Sequence, residues 1–349
     1  MEFLQNQKCR DLQNVKVSVV ILGYKNVNWL KTTVDSFVHT AQSPGWELIV
    51  VLNGAHEKVK FQCVEWIGQN LWPLSVLEVS SQRPGAARNF AMEAARGEIY
   101  LFLDDDILCF QDLVAALVRI FSDPLVSAAG GGNLTPPGSS ALQRANGYVM
   151  ASYLGAASMS ARYRILPEQA VGEHELILCN LAFRRGTFGH GFVRHLISNE
   201  ENVLLQNMAQ SGMKMVHSPD LAVYHRRREN LAGIWEQSGK YGGGRMQNIL
   251  LLPKTFRFLY LFPALFVLFL PICFILSFYF PWLLLFPLLY LVLAAELTIL
   301  TFTRTYDCAV IWIMILLPWI HMAYGWGSWR VMGSLLVERK KFQQVAADR

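Results

Sequence analysis

The chain has 349 residues, 53% of them hydrophobic, and a formal net charge of +5. That length allows more than one domain, and a charge this modest does not mark a nucleic-acid binder. Six scattered cysteines without a C-x-x-C pair point to a reducing compartment, with neither a zinc site nor a disulfide framework expected.

Met1–Val15 is polar and lacks the apolar core of a signal sequence, so none is expected. Lys16–Asn26 and Trp46–Gly54 have the β-branched and apolar runs of strands. Arg83-Pro84-Gly85 punctuates a loop, Ala86–Arg96 favours a helix, and Gly97 suits its stop. A helix that begins at a glycine loop offers free N–H groups to an anion. Arg88 adds a cation that can pair with phosphate, although the same residue suits a plain surface helix.

The run Ile99-Tyr-Leu-Phe-Leu then ends in Asp104-Asp105-Asp106. Carboxyl ends of strands are where open α/β sheets place ligands. Three adjacent acids repel one another, and a hard divalent cation that also bridges to phosphate is a reason to gather them. On an extended chain Asp104 and Asp106 face one way and Asp105 the other, so a metal-binding D-x-D is expected, with a solvated acidic loop as the alternative.

Farther on, Glu200-Glu201 opens a helix after Ser198-Asn199, where the dipole favours acids. Leu221–Tyr224 leads to His225 and Arg226-Arg227-Arg228. With Lys240, Arg245, Lys254 and Arg257 these arginines form a basic collar, expected on the cytoplasmic side and attractive to anionic headgroups. The cluster lacks the interleaved aromatics of a single-strand binder, and no repeat or low-complexity tract is present. Trp235, Gln237, Tyr241 and Gly242–Gly244 form an amphipathic, glycine-hinged stretch expected at a membrane interface.

Apolar segments follow at about 258–279, 281–303 and 308–329, with a turn expected at Phe280-Pro281. Glu296, the one formally charged side chain from Phe258 to Thr303, is either functional or reaches for headgroups. The collar and Glu338–Lys341 both favour the inside, which requires an even number of spans. The third segment carries Trp312, Trp319 and Trp326 on one face, together with Pro318, His321, Gly325 and Gly327. It either spans the membrane, lies in its interface or re-enters.

The following stretches, in this order, resemble family 2 glycosyltransferases of GT-A fold. They are the two early strands, Gly85-x-x-Arg88-Asn89 through Gly97-Glu98 with its acid-tipped strand, Cys179–Arg185, and Glu200–Gly212. The resemblance implies an α/β GT-A domain, a Rossmann-like mixed sheet with flanking helices, over 1–225. A basic juxtamembrane segment (226–257), a membrane region of transmembrane helices (258–335) and a basic tail (336–349) would follow. It implies inverting transfer of a hexose from a nucleotide-diphospho sugar, UDP-linked by preference, with Mg2+ or Mn2+. The acceptor would be lipid-linked, either a polyprenyl phosphate or a saccharide on a polyprenyl pyrophosphate, and the juxtamembrane segment resembles the exopolysaccharide type more.

The same resemblance assigns Leu22, Tyr24, Asn53, Arg83, Arg88, Asn89, Asp104 and Asp105 to the donor, and Asp106, Asp104 and His225 to the metal. It makes Glu201 the base with Glu200 second, and gives Asn180, Arg184, Arg226, Arg227 and Arg228 to the acceptor or phosphate. The protein would be integral to a bacterial cytoplasmic membrane, touching its lipids, with the catalytic domain in the cytoplasm. Asn53 stands where the family usually has Asp, Glu201 where it has Asp, and Val203 where it has a further acid. Those departures leave open a non-catalytic membrane partner. A processive synthase is disfavoured by the missing Gln-x-x-Arg-Trp, and a phosphohydrolase by Leu108, two residues after Asp106.

Overall fold

The computed structural model describes residues 2–187, 189, 191–194, 196, 198–251 and 256–337. Lys254 and the tail from 338 onward, Glu338–Lys341 among it, lie outside the described residues.

The chain opens with β1 (Glu2–Gln5), α1 (Gln7–Asp11), β2 (Val17–Gly23), α2 (Val27–Thr40), β3 (Trp46–Asn53), α3 (Glu57–Gln69) and β4 (Leu74–Val79). Next come α4 (Pro84–Ala94), β5 (Ile99–Leu103), β6 (Ile107–Leu108), α5 (Leu113–Ile120), β7 (Val126–Gly130) and β8 (Asn133–Leu134). After α6 (Ala141–Met150) and α7 (Tyr153–Ala156) come β9 (Gln169–Val171), β10 (Asn180–Arg184), α8 (Glu200–Gln210), β11 (Lys214–His217) and β12 (Val223–His225). Four long helices close the described chain: α9 (Leu231–Leu251), α10 (Phe262–Ser277), α11 (Leu285–Thr305) and α12 (Ile313–Val337).

These elements divide into two compact units. The first takes 1–136, 161–195 and 200–226. Its nine-stranded sheet runs β1-β4-β3-β2-β5-β10-β7-β11-β9, with β4, β3, β2 and β5 mutually parallel and β10 antiparallel between β5 and β7. Alternate strand residues go to opposite faces. Val17, Val19, Ile21, Val50 and Leu101 pack with Leu30, Phe37, Val59 and Leu117 of α2, α3 and α5. Val20, Ile49, Val51 and Phe102 pack with Ala87, Ala91, Leu205 and Met208 of α4 and α8. Central strands with apolar residues on both faces are what a sheet covered by helices on each side requires.

One boundary departs from expectation. Helix α4 stops at Ala94, with Ala95 as its extended cap, before the expected end at Arg96. Gly97 does not end the helix. It is needed where the chain crosses β2, because a Cβ there would lie 2.5 Å from the Ser18 nitrogen.

A second, three-stranded sheet, β6-β12-β8, grows from the end of the acid cluster. Thr33 fixes its first strand: the hydroxyl donates to the Ile107 carbonyl at 2.8 Å and accepts the Ile107 N–H at 3.1 Å. Ser36 Oγ accepts the Cys109 N–H at 3.0 Å.

The second unit takes 137–160, 196–199 and 227–349, so 137–160 packs with the C-terminal helices although it falls inside 1–225 in sequence. Three stretches here are long and apolar enough to cross a membrane: Phe258–Ser277, Pro281–Thr305 and Cys308–Ser334. Only 11% of the most apolar window is buried in the second, against 50% in the third, so α12 is the one that packs within the protein. Its main neighbour is α9. Trp319 Nε1 donates to the Leu231 carbonyl and Ser328 Oγ to that of Gly242.

The glycines of α9 therefore do not hinge it. The helix runs unbroken from Leu231 to Leu251, and a Cβ on Gly242 would come within 2.0 Å of the Tyr324 carbonyl oxygen. Small residues let two helix backbones approach closely. Glu296 is exposed on α11.

Asp307, between the second and third of these stretches, clasps α6. Arg144 donates to both its carboxylate oxygens at 2.7 and 3.0 Å, and the Tyr148 hydroxyl donates at 2.8 Å. These bonds, Arg144 first, hold the carboxyl well below the usual aspartate range. A depressed folded pKa gives stability that is complete above the unfolded value of about 3.9 and is lost as pH falls toward the folded one. Thermal stability in detergent should therefore fall below about pH 4, and Asp307→Asn should flatten that decline. Arg144 is 39% exposed, so solvent screening keeps the effect small.

Candidate active site

The acid cluster forms where β5 runs out. Asp104 and Asp106 follow its last buried residue, Leu103, and β12 returns beside β6 with His225 opposite Ile107. The Arg226 N–H donates to the Asp106 carbonyl at 3.0 Å and fixes this register. His225 Nε2 thereby lies 2.7 Å from Asp106 Oδ1 and 3.8 Å from Asp104 Oδ2.

Asp104, Asp106 and His225 each present a ligand atom, all within 4.8 Å of one another. Two hard carboxylates and an imidazole suit Mg2+ or Mn2+. His225 is buried and its Nδ1 has no hydrogen-bond partner. The donor set therefore fits a divalent cation. Asp105 turns to the Tyr24 N–H, yet burial, then Asp106 and Asp104, push its carboxyl up to about 7. The cluster thus has more negative charge than its own hydrogen bonds neutralise.

Arg88 links this cluster to α8. Its guanidinium donates to Glu200 Oε1 at 2.5 Å and to Asp104 Oδ1 at 3.3 Å. Glu201, also buried, lies 4.0 Å from Arg162 and accepts the Asn202 side-chain N–H at 3.3 Å. Arg162 was not singled out in the sequence. Its partners, the carbonyls of Glu173 and His174 and the Asn202 side chain, are remote in sequence and give no local pattern. Trp29 was also missed, and the Arg226 guanidinium lies 5.0 Å over its ring.

Other expected ligand contacts bond to the backbone. The Asn53 side chain donates to the Gln82 carbonyl at 3.0 Å and accepts the Gln82 N–H at 2.8 Å. Asn89 does the same to Phe192, at 2.8 and 2.9 Å, and Asn180 donates to the Leu221 carbonyl at 2.7 Å. Asn180 pairs with Leu103 at the acid end of β5, whereas Arg184 pairs with Ile99 at the other end. There Arg184 donates to the carbonyls of Phe121, Asp123 and Val126, so the structure does not bring it to the acids.

Leu22 is half-buried against the core, while Tyr24 and Arg83 are exposed. Arg227 and Arg228 fall in the second unit, Arg227 buried and Arg228 half-buried.

Asn53→Asp is a direct check of this frame. Asp cannot donate, so the Gln82 carbonyl would face a carboxylate. We expect a loss of about 1–3 kcal/mol in chemical unfolding.

The model of glycosyl transferase family 2 matches residues 18–192. The chain belongs to glycosyl transferase family 2. Over 219 residues this family 2 chain is 25% identical to the O-antigen chain rhamnosyltransferase RfbN of Salmonella typhimurium strain LT2. That match covers 60% of the chain and 66% of the relative, just under two thirds of its length. An uncharacterized glycosyltransferase of Rickettsia bellii is 26% identical over 112 residues, 32% of this chain and 16% of that one.

Among solved structures, the mannosyltransferase PcManGT from Pyrobaculum calidifontis, in complex with GDP-Man and Mn2+, superposes with a TM-score of 0.58 at 17% identity. It covers 91% of this chain and 89% of its own. The fold of this family 2 member is GT-A, and Asp104, Asp106 and His225 form a candidate divalent-metal site within it.

Proposed function

We propose that the protein transfers a hexose or deoxyhexose from a nucleotide-diphospho sugar to a lipid-linked acceptor, with inversion at the anomeric carbon. The observation that carries this reading is the convergence of Asp104, Asp106 and His225, with Arg88 joining Asp104 to Glu200. A divalent cation held by those three residues would offset charge on the departing diphosphate. The chain's own part is to orient donor and acceptor. Arg88 holds Asp104 in place, and Arg226, exposed beside Trp29, offers a cation to a phosphate.

The acceptor hydroxyl needs a base opposite the leaving group. Glu200 Oε1 is taken up by Arg88, so we assign its buried neighbour Glu201 as the base. The name of the rhamnosyltransferase relative supports a deoxyhexose and a saccharide acceptor, and the apolar helices support an acceptor carried by a membrane lipid. The basic segment before them supports a catalytic domain on the cytoplasmic face.

The test is calorimetric titration of the detergent-purified chain with UDP, GDP, CDP and dTDP, with and without Mn2+. Metal-dependent binding of one nucleotide is expected. Glu201→Gln should then keep donor binding and lower transfer by about 10²–10⁴. Binding of none of the four would favour a non-catalytic membrane partner that has kept the fold.

A further inference from the structure

Arg245 follows Gly242–Gly244 in α9 and is only 5% exposed. Its Nε has no hydrogen-bond partner, and among the described residues no carboxylate pairs with it. Two neighbours hold it: the Tyr260 ring, 4.5 Å from the guanidinium carbon, and Met159 Sδ, 3.3 Å from Nη2. Neither neutralises its charge. A guanidinium does not shed its proton on burial, so keeping one unpaired inside a protein is costly unless an anion is supplied from outside.

Tyr260 and Met159 also line a cavity of about 220 Å³, together with Leu154, Pro263, Ile320 and Tyr324. Its wall is mostly apolar, and it adjoins the first residues of the apolar stretch that contains α10. The volume falls below the roughly 300–1,000 Å³ of a site that engulfs a whole small molecule. It suits a segment of one chain rather than the two chains of a bilayer phospholipid.

We propose that Arg245 and this cavity bind the phosphate and first isoprenyl units of the lipid-linked acceptor. The proposal rests on the transferase reading above and gives its acceptor a seat. Charge complementarity selects a phosphate, which the guanidinium fork grips by paired hydrogen bonds. The apolar wall selects the chain that carries it.

The test is binding of farnesyl phosphate to the full chain in detergent, without donor or metal. Phosphatidylglycerol, farnesol and inorganic phosphate serve as comparisons. Wild type should bind farnesyl phosphate saturably and more tightly than any of the three. Arg245→Gln should weaken that binding about tenfold or more, and without lipid it should melt no lower than wild type, because it removes an unpaired charge. Leu154→Trp, which fills the cavity and keeps the charge, should also weaken farnesyl phosphate.

Equal binding by Arg245→Gln would overturn the proposal. So would phosphatidylglycerol binding as tightly as farnesyl phosphate, which would make this a bilayer-lipid site, or inorganic phosphate doing so, which would remove the chain's part. Lipid binding is read apart from the nucleotide titration. Loss of nucleotide binding with lipid binding intact would overturn the transferase reading alone.

Discussion

Asp106→Asn is expected to lower sugar transfer by about a thousandfold, without unfolding the protein. Asp106 is the carboxylate nearest His225, at 2.7 Å, and belongs to the triad that can hold a divalent cation. A cation opposite a developing diphosphate is worth several kcal/mol in the transition state, and about 4 kcal/mol is a factor of roughly 10³. Asn keeps the shape and one acceptor oxygen, but it takes a full negative charge from the donor set. Stability should hold or rise, because three crowded acids become two and Asp105 loses the stronger of its two repulsive neighbours. Initial rates across a Mn2+ titration, paired with melting curves, check both halves. An Asp106→Asn protein within about tenfold of wild type would remove the triad from the chemistry.

Arg88→Met should be the most destabilising single change around the site. Arg88 and Glu200 are both buried, with side chains 8% and 5% exposed, and they meet at 2.5 Å. Removing the cation strands a carboxylate in the interior, which costs about 3–5 kcal/mol. Arg88→Met combined with Glu200→Gln should recover much of that loss, because it removes both charges at once. Arg88→Lys should rescue poorly, since an ammonium lacks the fork that reaches Glu200 and Asp104 together. Chemical unfolding of wild type, Arg88→Met, Glu200→Gln and the double variant as a double-mutant cycle tests this. Additive losses would show that the two side chains do not depend on each other.

Much of the architecture was legible because its signals are local. Apolar runs gave the strands, the abrupt change from Leu103 to Asp104 marked the ligand end of the sheet, and the membrane-length stretches followed from composition. The acids and His225 were legible as types, but what brings them together is the small sheet pinned by Thr33, a residue with no motif around it. The asparagines were assigned to ligands by the resemblance, and an amide both donates and accepts. The same property lets Asn89 clasp the backbone of Phe192, 103 residues away, and no local pattern reports such a partner. Arg184 carried the charge expected of a phosphate contact, but strand register sends it to the far end of β10. The hinge expected at Gly242–Gly244 failed for a related reason. Glycine signals permission to bend or permission to touch, and only the neighbouring helix decides which.

The clasp between Arg144 and Asp307 sets an order of assembly. Helix α6 leaves the ribosome long before its partners exist, since Ala145 and Val149 cluster with Val310, Ile313, Leu317 and Ile320. At about 5–20 residues per second, synthesis from α6 to α12 takes roughly 10–30 s. Through that interval α6 waits with an uncovered apolar face. A chain that stops before Asp307 would keep that face open for good, which makes it a target for quality-control proteases even with its acid cluster complete.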